Sequence, residues 1–275
     1  MREARWEKGQ FDDWADQFQM MFDDLGYSRE DYRPHAPDGI FNAEALMGPG
    51  YVGMGSPKGF NESEIGVLAR FAKEFEGTYR RFLDIQKAEA RTREAHIEMS
   101  LERVRSQAMV MQKPEDISEV SIRMFDELED LGVESMRSGI SIPVDGDRYQ
   151  FHSATKNESG QTTLVVGDES VDVHPIIRKA FERWKNQETF QHIDVLEGND
   201  LEEYYHAVFD TMPLPDWKER TRRGEAATES FATFPFQDGW LYTFAQHQFS
   251  NAELAVYQRF ARVFGLAYQR YNDLK

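Results

Sequence analysis

The sequence predicts an α+β protein in which helices flank an antiparallel sheet, and two observations lead to this fold class. Residues 60–84 and 249–273 align without a gap, and ten of the 25 aligned positions are identical. Self-similarity at a fixed spacing marks repeated structural units. Residues 114–275 then follow the order helix, two strands, helix, strand, helix, two strands, helix, which is typical of helices packed on an antiparallel sheet.

Each copy of the repeat is predicted to end in an amphipathic helix that packs on the sheet of its own repeat. Asn61 with Glu64, and Ser250 with Glu253, have the capping-box spacing of a helix start. Apolar residues then recur every four positions and form one stripe on each helix. The matched stripes are Val67, Phe71, Phe75 and Tyr79 in the first copy and Val256, Phe260, Phe264 and Tyr268 in the second.

Residues 79–113 are predicted to extend the first repeat helix into a long linker helix. The stretch between Gly77 and Pro114 has no Gly or Pro and is rich in good helix formers. Its apolar residues alternate at three- and four-residue steps, which predicts a coiled-coil-like seam joining two chains in a parallel homodimer. The seam residues are Ile97, Leu101, Val104, Ala108 and Met111. A single helix that lies against the second domain is the alternative.

The chain is therefore predicted to have three parts. Residues 1–60 match only the C-terminal half of a repeat, residues 61–113 form the linker helix, and residues 114–275 form a complete domain. Residues 36–57 contain many glycines and are predicted to form an irregular loop rather than a good sheet. In the complete domain the predicted helices are 114–131, 175–186, 201–211 and 252–274, and the predicted strands are 138–144, 148–154, 162–166, 171–173, 189–195, 229–235 and 240–246.

Composition excludes several classes of function. The 275 residues include no Cys, so disulfides, thiolate metal sites and Cys nucleophiles are impossible. A net charge of -17 opposes binding to nucleic acid and to anionic membranes. The sequence has neither a signal peptide nor an apolar run of membrane-spanning length, so we expect a cytoplasmic protein.

No sequence pattern for catalysis is found. The seven histidines lack metal-ligand spacing, and the glycine-rich residues 48–55 lack the Lys-Ser or Lys-Thr pair of a phosphate-binding loop. No nucleophile-elbow pattern occurs either. We therefore expect a protein that is not an enzyme and that has no metal and no cofactor.

Two segments resemble the GAF-like sensor repeats of bacterial signalling proteins, especially those of the Bacteroidetes type. Residues 86–120, QKAEARTREAHIEMSLERVRSQAMVMQKPEDISEV, resemble the linker between such repeats, and residues 231–275 resemble their final hairpin and helix. The resemblance implies a GAF/PAS-like fold and a role in signal input upstream of a kinase, a cyclase or a transcriptional output. Residues 1–60 depart from the pattern because the first helix and first hairpin of a repeat have no counterpart there.

The resemblance also implies a ligand pocket between the sheet and the helices on one of its faces. Aromatic side chains with polar tips suit such a pocket, because they stack on a ligand and still form hydrogen bonds. The candidate ligand-binding residues are Tyr149, His152, Trp184, Tyr204, Tyr205, Trp240 and Tyr242. Phe151 and His152 are neighbours on one strand and must face opposite sides of it, so at most one of them lines a given pocket.

The expected function is that of a sensory input module that binds a small ligand or a partner and relays the signal through the linker helix. The alternative is a scaffold that holds partner proteins and has no small-molecule ligand, in which case the candidate residues are ordinary core residues. A fully packed interior around Trp184 and Tyr242 would favour the scaffold.

Overall fold

The computed structural model describes residues 2–7, 13, 15–16, 26, 28–32, 34, 39–157, 159–208 and 228–274. The chain divides into two units, Met1–Arg91 and Thr92–Lys275. The elements of the first unit, in chain order, are β1 (Arg2–Glu7), α1 (Arg29–Tyr32), β2 (Gly39–Met47), β3 (Gly50–Ser56) and the first part of α2 (Glu62–Met109). Those of the second unit are the rest of α2, α3 (Asp116–Asp130), β4 (Arg137–Val144), β5 (Arg148–Lys156), β6 (Thr162–Ser170), α4 (Pro175–Lys185), β7 (His192–Glu197), α5 (Gly198–Val208), β8 (Thr228–Phe236), β9 (Gly239–Ala245) and α6 (Asn251–Asp273).

The second unit has the predicted α+β fold, with one six-stranded antiparallel sheet in the order β6-β5-β4-β9-β8-β7. Its helices and strands lie within a few residues of the predicted positions. Residues 171–173 are an exception, since they form a 3-10 helix rather than a strand. The Ser170 hydroxyl accepts a hydrogen bond from the Asp172 amide at 3.1 Å and so turns the chain there.

The two faces of this sheet carry separate hydrophobic cores. On one face, which we call the α3/α6 face, apolar residues of α2, α3 and α6 pack against alternate side chains of β4, β8 and β9. On the other, the α4/α5 face, residues of α4 and α5 pack against the strand side chains that point away from the first core. These side chains belong mainly to β4, β5, β8 and β9. The period of two along each strand therefore decides which core a side chain enters.

The five predicted seam residues belong to the α3/α6 core. Ile97, Leu101, Val104, Ala108 and Met111 are all buried there. Arg259 of α6 donates to Glu94 at 2.8 Å and to Glu98 at 2.5 Å, which holds α2 beside α6. The alternating apolar spacing thus fits a helix that lies against its own domain, and these side chains have no surface left for a second chain.

Helix α2 is one continuous helix of 48 residues. Its capping box is confirmed: the Glu64 amide donates to Asn61 Oδ1 at 3.0 Å, and the Asn61 amide donates to Glu64 Oε2 at 2.8 Å. The helix ends at Met109, earlier than predicted, and the Gln112 amide beyond its end donates to Asp116 Oδ2 at 2.8 Å.

The first unit contains a three-stranded antiparallel sheet in the order β1-β2-β3. The prediction of an irregular loop over 36–57 was wrong for β2 and β3, because pairing between neighbouring strands overrides the poor strand propensity of glycine. In the spacing of the repeat, β2 and β3 are the counterparts of β8 and β9. Their register is also the same: Phe41 pairs with Ser56, and Ser230 pairs with Ala245.

The prediction for the repeat helix is confirmed in the second unit and wrong in the first. Val256, Phe260, Phe264 and Tyr268 are buried. In the first unit Leu68 and Ala72 are the buried residues of α2, packed near Val52 and Met54, whereas Val67, Phe71 and Phe75 are exposed.

We expect Leu101→Ala to destabilise the second unit without changing the mass of the protein in solution. Leu101 is 3% exposed, and removing a buried Leu side chain costs about 2–5 kcal/mol of unfolding free energy. Urea unfolding followed by 19F NMR of 5-fluorotryptophan at buried Trp240 reports on this unit. The matched control is Leu266→Ala, at a site that is 70% exposed, for which a change within about 0.5 kcal/mol is expected. A change of mass at unaltered stability would contradict the assignment of Leu101 to the core.

Candidate functional site

The α4/α5 face of the six-stranded sheet carries a buried cluster of polar and aromatic side chains. Alternation along β4 directs Arg137, Gly139 and Ser141 to this face, while Ser138 and Ile140 enter the opposite core. Strand β9 adds the aromatic residues Trp240, Tyr242 and Phe244 beside them. Helices α4 and α5 cover the cluster with Ile177, Tyr204 and Tyr205.

Arg137 is the charged centre of this cluster. It is buried, and its guanidinium carbon lies 3.8 Å from the ring centroid of Phe244, 5.2 Å from that of Tyr204 and 5.6 Å from that of Tyr205. Its Nη2 donates a hydrogen bond to the Tyr204 hydroxyl at 2.8 Å. Aromatic faces stabilise a desolvated cation through cation–π contacts.

Glu229 of β8 is the buried carboxylate of the same cluster. The Tyr205 hydroxyl donates a hydrogen bond to this carboxylate and lies 2.8 Å from its Oε1 and 2.7 Å from its Oε2. Burial by itself would lower the pKa of Arg137, but Tyr204, Tyr205, Tyr242 and Glu229 around it outweigh that effect and raise the pKa. Arg137 therefore stays cationic.

A small cavity lies beside Arg137. Its volume is about 10 Å³, which is about the space that one water molecule needs. Its lining is mainly aromatic with hydroxyl groups at several points. The lining residues are Ser141, Tyr149, Phe151, Ile177, Tyr204, Phe231, Trp240, Tyr242 and Phe244.

Tyr242, Gly139 and Ser153 stand in one row across β9, β4 and β5. A Cβ on Gly139 would lie 2.7 Å from the Tyr242 hydroxyl and 2.4 Å from the backbone oxygen of His152, so only glycine lets the tyrosine cross β4 here. The Tyr242 and Ser153 hydroxyls are both buried and interact with each other, because Ser153 acts as a hydrogen-bond partner that lowers the pKa of Tyr242 against the larger raising effect of burial. Buried polar groups are nearly always satisfied, and here the two hydroxyls meet across the glycine of β4.

The structure brings five of the seven candidate residues into this cluster. Tyr149, Tyr204, Trp240 and Tyr242 line the cavity, and Tyr205 lies next to them on Glu229. His152 is not part of it, because its Nδ1 lies 3.1 Å from the Ser118 hydroxyl of α3 on the opposite face. Phe151, its neighbour, lines the cavity instead, as strand alternation requires.

Trp184 also lies outside the cavity lining. Its indole Nε1 donates to the backbone oxygen of Gln237 at 3.0 Å, and its ring packs 5.6 Å from that of Phe181. The position near the C-terminal end of α4 explains this, since the side chain there reaches the turn between β8 and β9. Trp184 ties the helix to the sheet.

Sequence reasoning missed Arg137, Glu229, Ser141 and Ser153. A signal for Glu229 was present, because it alternates with Phe231 and Thr233 on the core-facing side of a predicted strand. A charged residue in that register indicates a buried charge with partners. Arg137 lay just outside the predicted strand, so its register was not considered.

The part of the chain that the structure describes contains neither a metal-binding group of side chains nor a helix that could cross a membrane. No group of three or more His, Asp or Glu residues there could hold a metal ion. None of the helices described is long and apolar enough to cross a membrane.

Comparison with known proteins gives distant structural likenesses only. No protein-family model matches the sequence, and no curated protein matches it. Among solved structures, the chain is similar to the A. aeolicus nlh2 GAF domain in an inactive state, with 10% identity and a TM-score of 0.37 over 65% of this chain and 98% of that one. At this distance the likeness assigns neither a family nor an activity.

We expect Arg137 and Glu229 to stabilise the fold jointly. Removing one member of a buried charged cluster leaves the other uncompensated and costs about 3–5 kcal/mol. Arg137→Met and Glu229→Gln should therefore each lower the unfolding free energy, and the double variant should lose less than the sum of the two. Urea unfolding read at Trp240 measures this double-mutant cycle. Strictly additive losses would show that the two residues do not interact.

We expect His152 to make the second unit less stable in mild acid. Burial lowers the pKa of His152 to about 4, whereas an unfolded His has a pKa of about 6.5. Between these values the unfolded chain binds a proton that the folded chain does not bind. The stabilisation is thus fully present above about pH 6.5 and falls, by at most about 3 kcal/mol, as the pH drops toward 4.

The control for this effect is His152→Asn, which removes the titrating group and keeps a polar partner for Ser118. The unfolding free energy of the parent should fall relative to the variant between about pH 7.5 and about pH 4.5. A constant difference between the two proteins would contradict the buried neutral histidine.

Proposed function

We propose that the second unit is a sensory input module of the GAF-like type, which binds a small ligand on the α4/α5 face and acts in the cytoplasm of a bacterial cell. The observation that supports this proposal is the buried Arg137, which stands among tyrosines beside a cavity inside the domain. A binding pocket is typically an apolar space with a few convergent polar groups. The output would be a downstream signalling domain or protein.

The chemistry of the cluster favours a small planar anion as the ligand. Arg137 supplies positive charge, and aromatic rings line the space where a planar molecule would stack. Glu229 already accepts a hydrogen bond from the Tyr205 hydroxyl and does not line the cavity. The Tyr242 and Ser153 hydroxyls, which interact mainly with each other, would donate to a ligand oxygen.

Binding must open the cavity, and this requirement suits a sensor. The cavity of about 10 Å³ is far smaller than the roughly 300–1,000 Å³ of a pocket for a drug-sized ligand. A ligand would therefore bind a minor, opened state of the domain and shift the population toward it. The observed affinity would equal the affinity for the open state multiplied by the fraction of molecules in which the domain is open.

A hydrogen-bonded path leads from this face to the helices of the other face. Arg137 lies on the α4/α5 face, and the next residue, Ser138, donates to the Thr243 hydroxyl at 3.1 Å. Thr243 in turn donates to the Tyr257 hydroxyl of α6 at 2.9 Å. Because α6 also holds α2 through Arg259, a shift of β4 would be felt by α2.

We also propose that the site is not catalytic. Burial raises the pKa of Tyr149, Tyr204 and Tyr242, so these hydroxyls stay protonated at neutral pH and do not act as bases. Their chemistry is that of hydrogen-bond donors.

The alternative function is a protein-interaction scaffold without a ligand, and one observation favours it. The interior around Tyr242 and Trp240 is closely packed, with room for only about one water. In a scaffold the charged cluster would only fix the position of α5 on the sheet.

A ligand titration distinguishes the two functions. The protein is labelled with 5-fluorotryptophan, and the 19F signal of Trp240 is followed while benzoate is added, with the uncharged isostere benzamide as the matched control. We expect benzoate to shift this signal saturably and benzamide to shift it less, because only benzoate offers a charge to Arg137. Tyr242→Phe should weaken benzoate binding about 3–10-fold, the value of one hydrogen bond.

Other small planar carboxylates are then tested in the same way. If none of them shifts the Trp240 signal while the domain stays folded, the proposed ligand class is wrong and the scaffold is favoured.

A further inference from the structure

The same helix face is covered in the second unit and open in the first. In α6, Phe260, Phe264 and Tyr271 are at most 4% exposed. Their counterparts in the first copy of the repeat, on α2, are Phe71, Phe75 and Phe82, which are 67%, 49% and 51% exposed. We call the stripe of Val67, Phe71, Phe75, Phe82 and Ile85 the open face.

The open face forms a continuous surface. At about 100° per residue its five positions fall within an arc of about 80° on the helix. Taking about 200 Å² for a fully exposed aromatic side chain, its three phenylalanines alone expose roughly 350 Å². A patch of that size on a soluble protein marks an interaction surface.

The second unit shows what covers this face. There the aromatic residues of α6 share one core with the buried residues of α2 and with Ile117, Val120, Met124 and Leu128 of α3. Helix α3 packs over β4, β5 and β6, which lie on the far side of β9. The cover thus comes from α2 and from α3, and α3 lies on the half of the sheet that β9 joins through β4.

The first unit lacks this half of the sheet among its described residues. Its sheet stops at β3, the counterpart of β9, so the outer edge of Gly50–Ser56 pairs with no described strand. An unpaired edge presents backbone amide and carbonyl groups that bind another strand. The open face and the open edge lie on the side where the missing half would be.

We propose that a second copy of this chain supplies the missing half, so that two first units share one sheet in a homodimer. The β3 strands pair antiparallel about a two-fold axis and give the order β1-β2-β3-β3-β2-β1, with six strands like the sheet of the second unit. The open faces of the two α2 helices pack against each other above this sheet. This dimer contact involves only the first unit, so its test does not depend on the ligand site in the second unit.

The geometry of the first unit fits this symmetry. A two-fold axis perpendicular to a sheet relates adjacent antiparallel strands and keeps both helices on the same face. Leu68 and Ala72 pack near Val52 and Met54, on either side of Gly53 at the centre of β3. The middle of the helix stripe therefore lies close to the axis that passes between the strands.

The charges on α2 favour the antiparallel arrangement. Glu64 stands near the start of the open face, and Arg81 stands at its border near the other end. Antiparallel packing centred near Lys73 places the acidic end of one helix beside the basic end of the other. Parallel packing would place like charges together, which weakens association.

The first experiment compares mass in solution by light scattering over a range of concentrations. The parent chain should have twice the mass of one chain. Phe71→Glu combined with Phe75→Glu should raise the dissociation constant of the dimer at least about 30-fold, the effect of losing a hot spot, with an unchanged circular dichroism spectrum. The control is Leu266→Glu, which adds a charge at an equally exposed apolar site of the second unit and should leave the dimer intact.

A disulfide crosslink then tests the shared sheet, since the chain has no native Cys. A Cβ at Gly53 meets no atom closer than 3.5 Å, so Gly53→Cys fits without strain. Near the two-fold axis this cysteine should oxidise to a covalent dimer, whereas Leu266→Cys should not.

Three results would overturn the proposal. One is a monomeric parent chain, which would leave the open face to a different protein. Another is a dimer that persists with glutamates at positions 71 and 75. The third is a dimer that fails to crosslink through Gly53→Cys, which would show that the β3 strands are not paired.

Discussion

The pairing of β4 with β9 is the contact on which the second unit depends. It joins two three-stranded halves, β6-β5-β4 and β9-β8-β7, which lie far apart in the chain. The strands approach so closely that a Cβ on Gly239 would lie 2.1 Å from the backbone oxygen of Ser141. The same pairing sets Arg137 beside Phe244 and Gly139 beside Tyr242, so it builds the polar cluster as well as the sheet. In the first unit β3 has no such described partner, and an open edge and an open helix face are the result.

The buried charges of Arg137 and Glu229 oppose folding but fix the position of α5 on the sheet. Desolvating a guanidinium and a carboxylate opposes folding, and their attraction offsets that only when hydrogen bonds and ring contacts are well placed. Here Tyr204 accepts from Arg137, and Tyr205 donates to Glu229, so two adjacent residues of α5 hold one charged group each. The helix can take only one position on the sheet if both bonds are to form. An apolar cluster of the same size would not specify that position so narrowly.

Much of the second unit could be predicted from the sequence, because hydrophobic period and turn residues agree there. The hairpin between β4 and β5 and the capping box of α6 follow from local patterns. What could not be predicted depends on partners distant in sequence. The spacing of Leu101 and Val104 fits both a coiled coil and a helix on its own domain, and only the tertiary fold decides between them. Likewise, the glycine-rich β3 has poor strand propensity until β2 pairs with it, and His152 and Phe151 were equally good candidates until the face of β5 was known.

The placement of the α2 seam in a core closed by the last helix has a consequence for synthesis on the ribosome. Ile97 through Met111 are made early, but the α6 residues that share their core, from Leu254 onward, are made only after all six strands of the sheet. At about 5–20 residues per second this leaves an apolar helix face uncovered for roughly 10–30 s. During that interval the segment has the surface of a coiled-coil strand, and neighbouring nascent chains carry the same surface. Contacts between neighbouring nascent chains are therefore most favoured before α6 is complete.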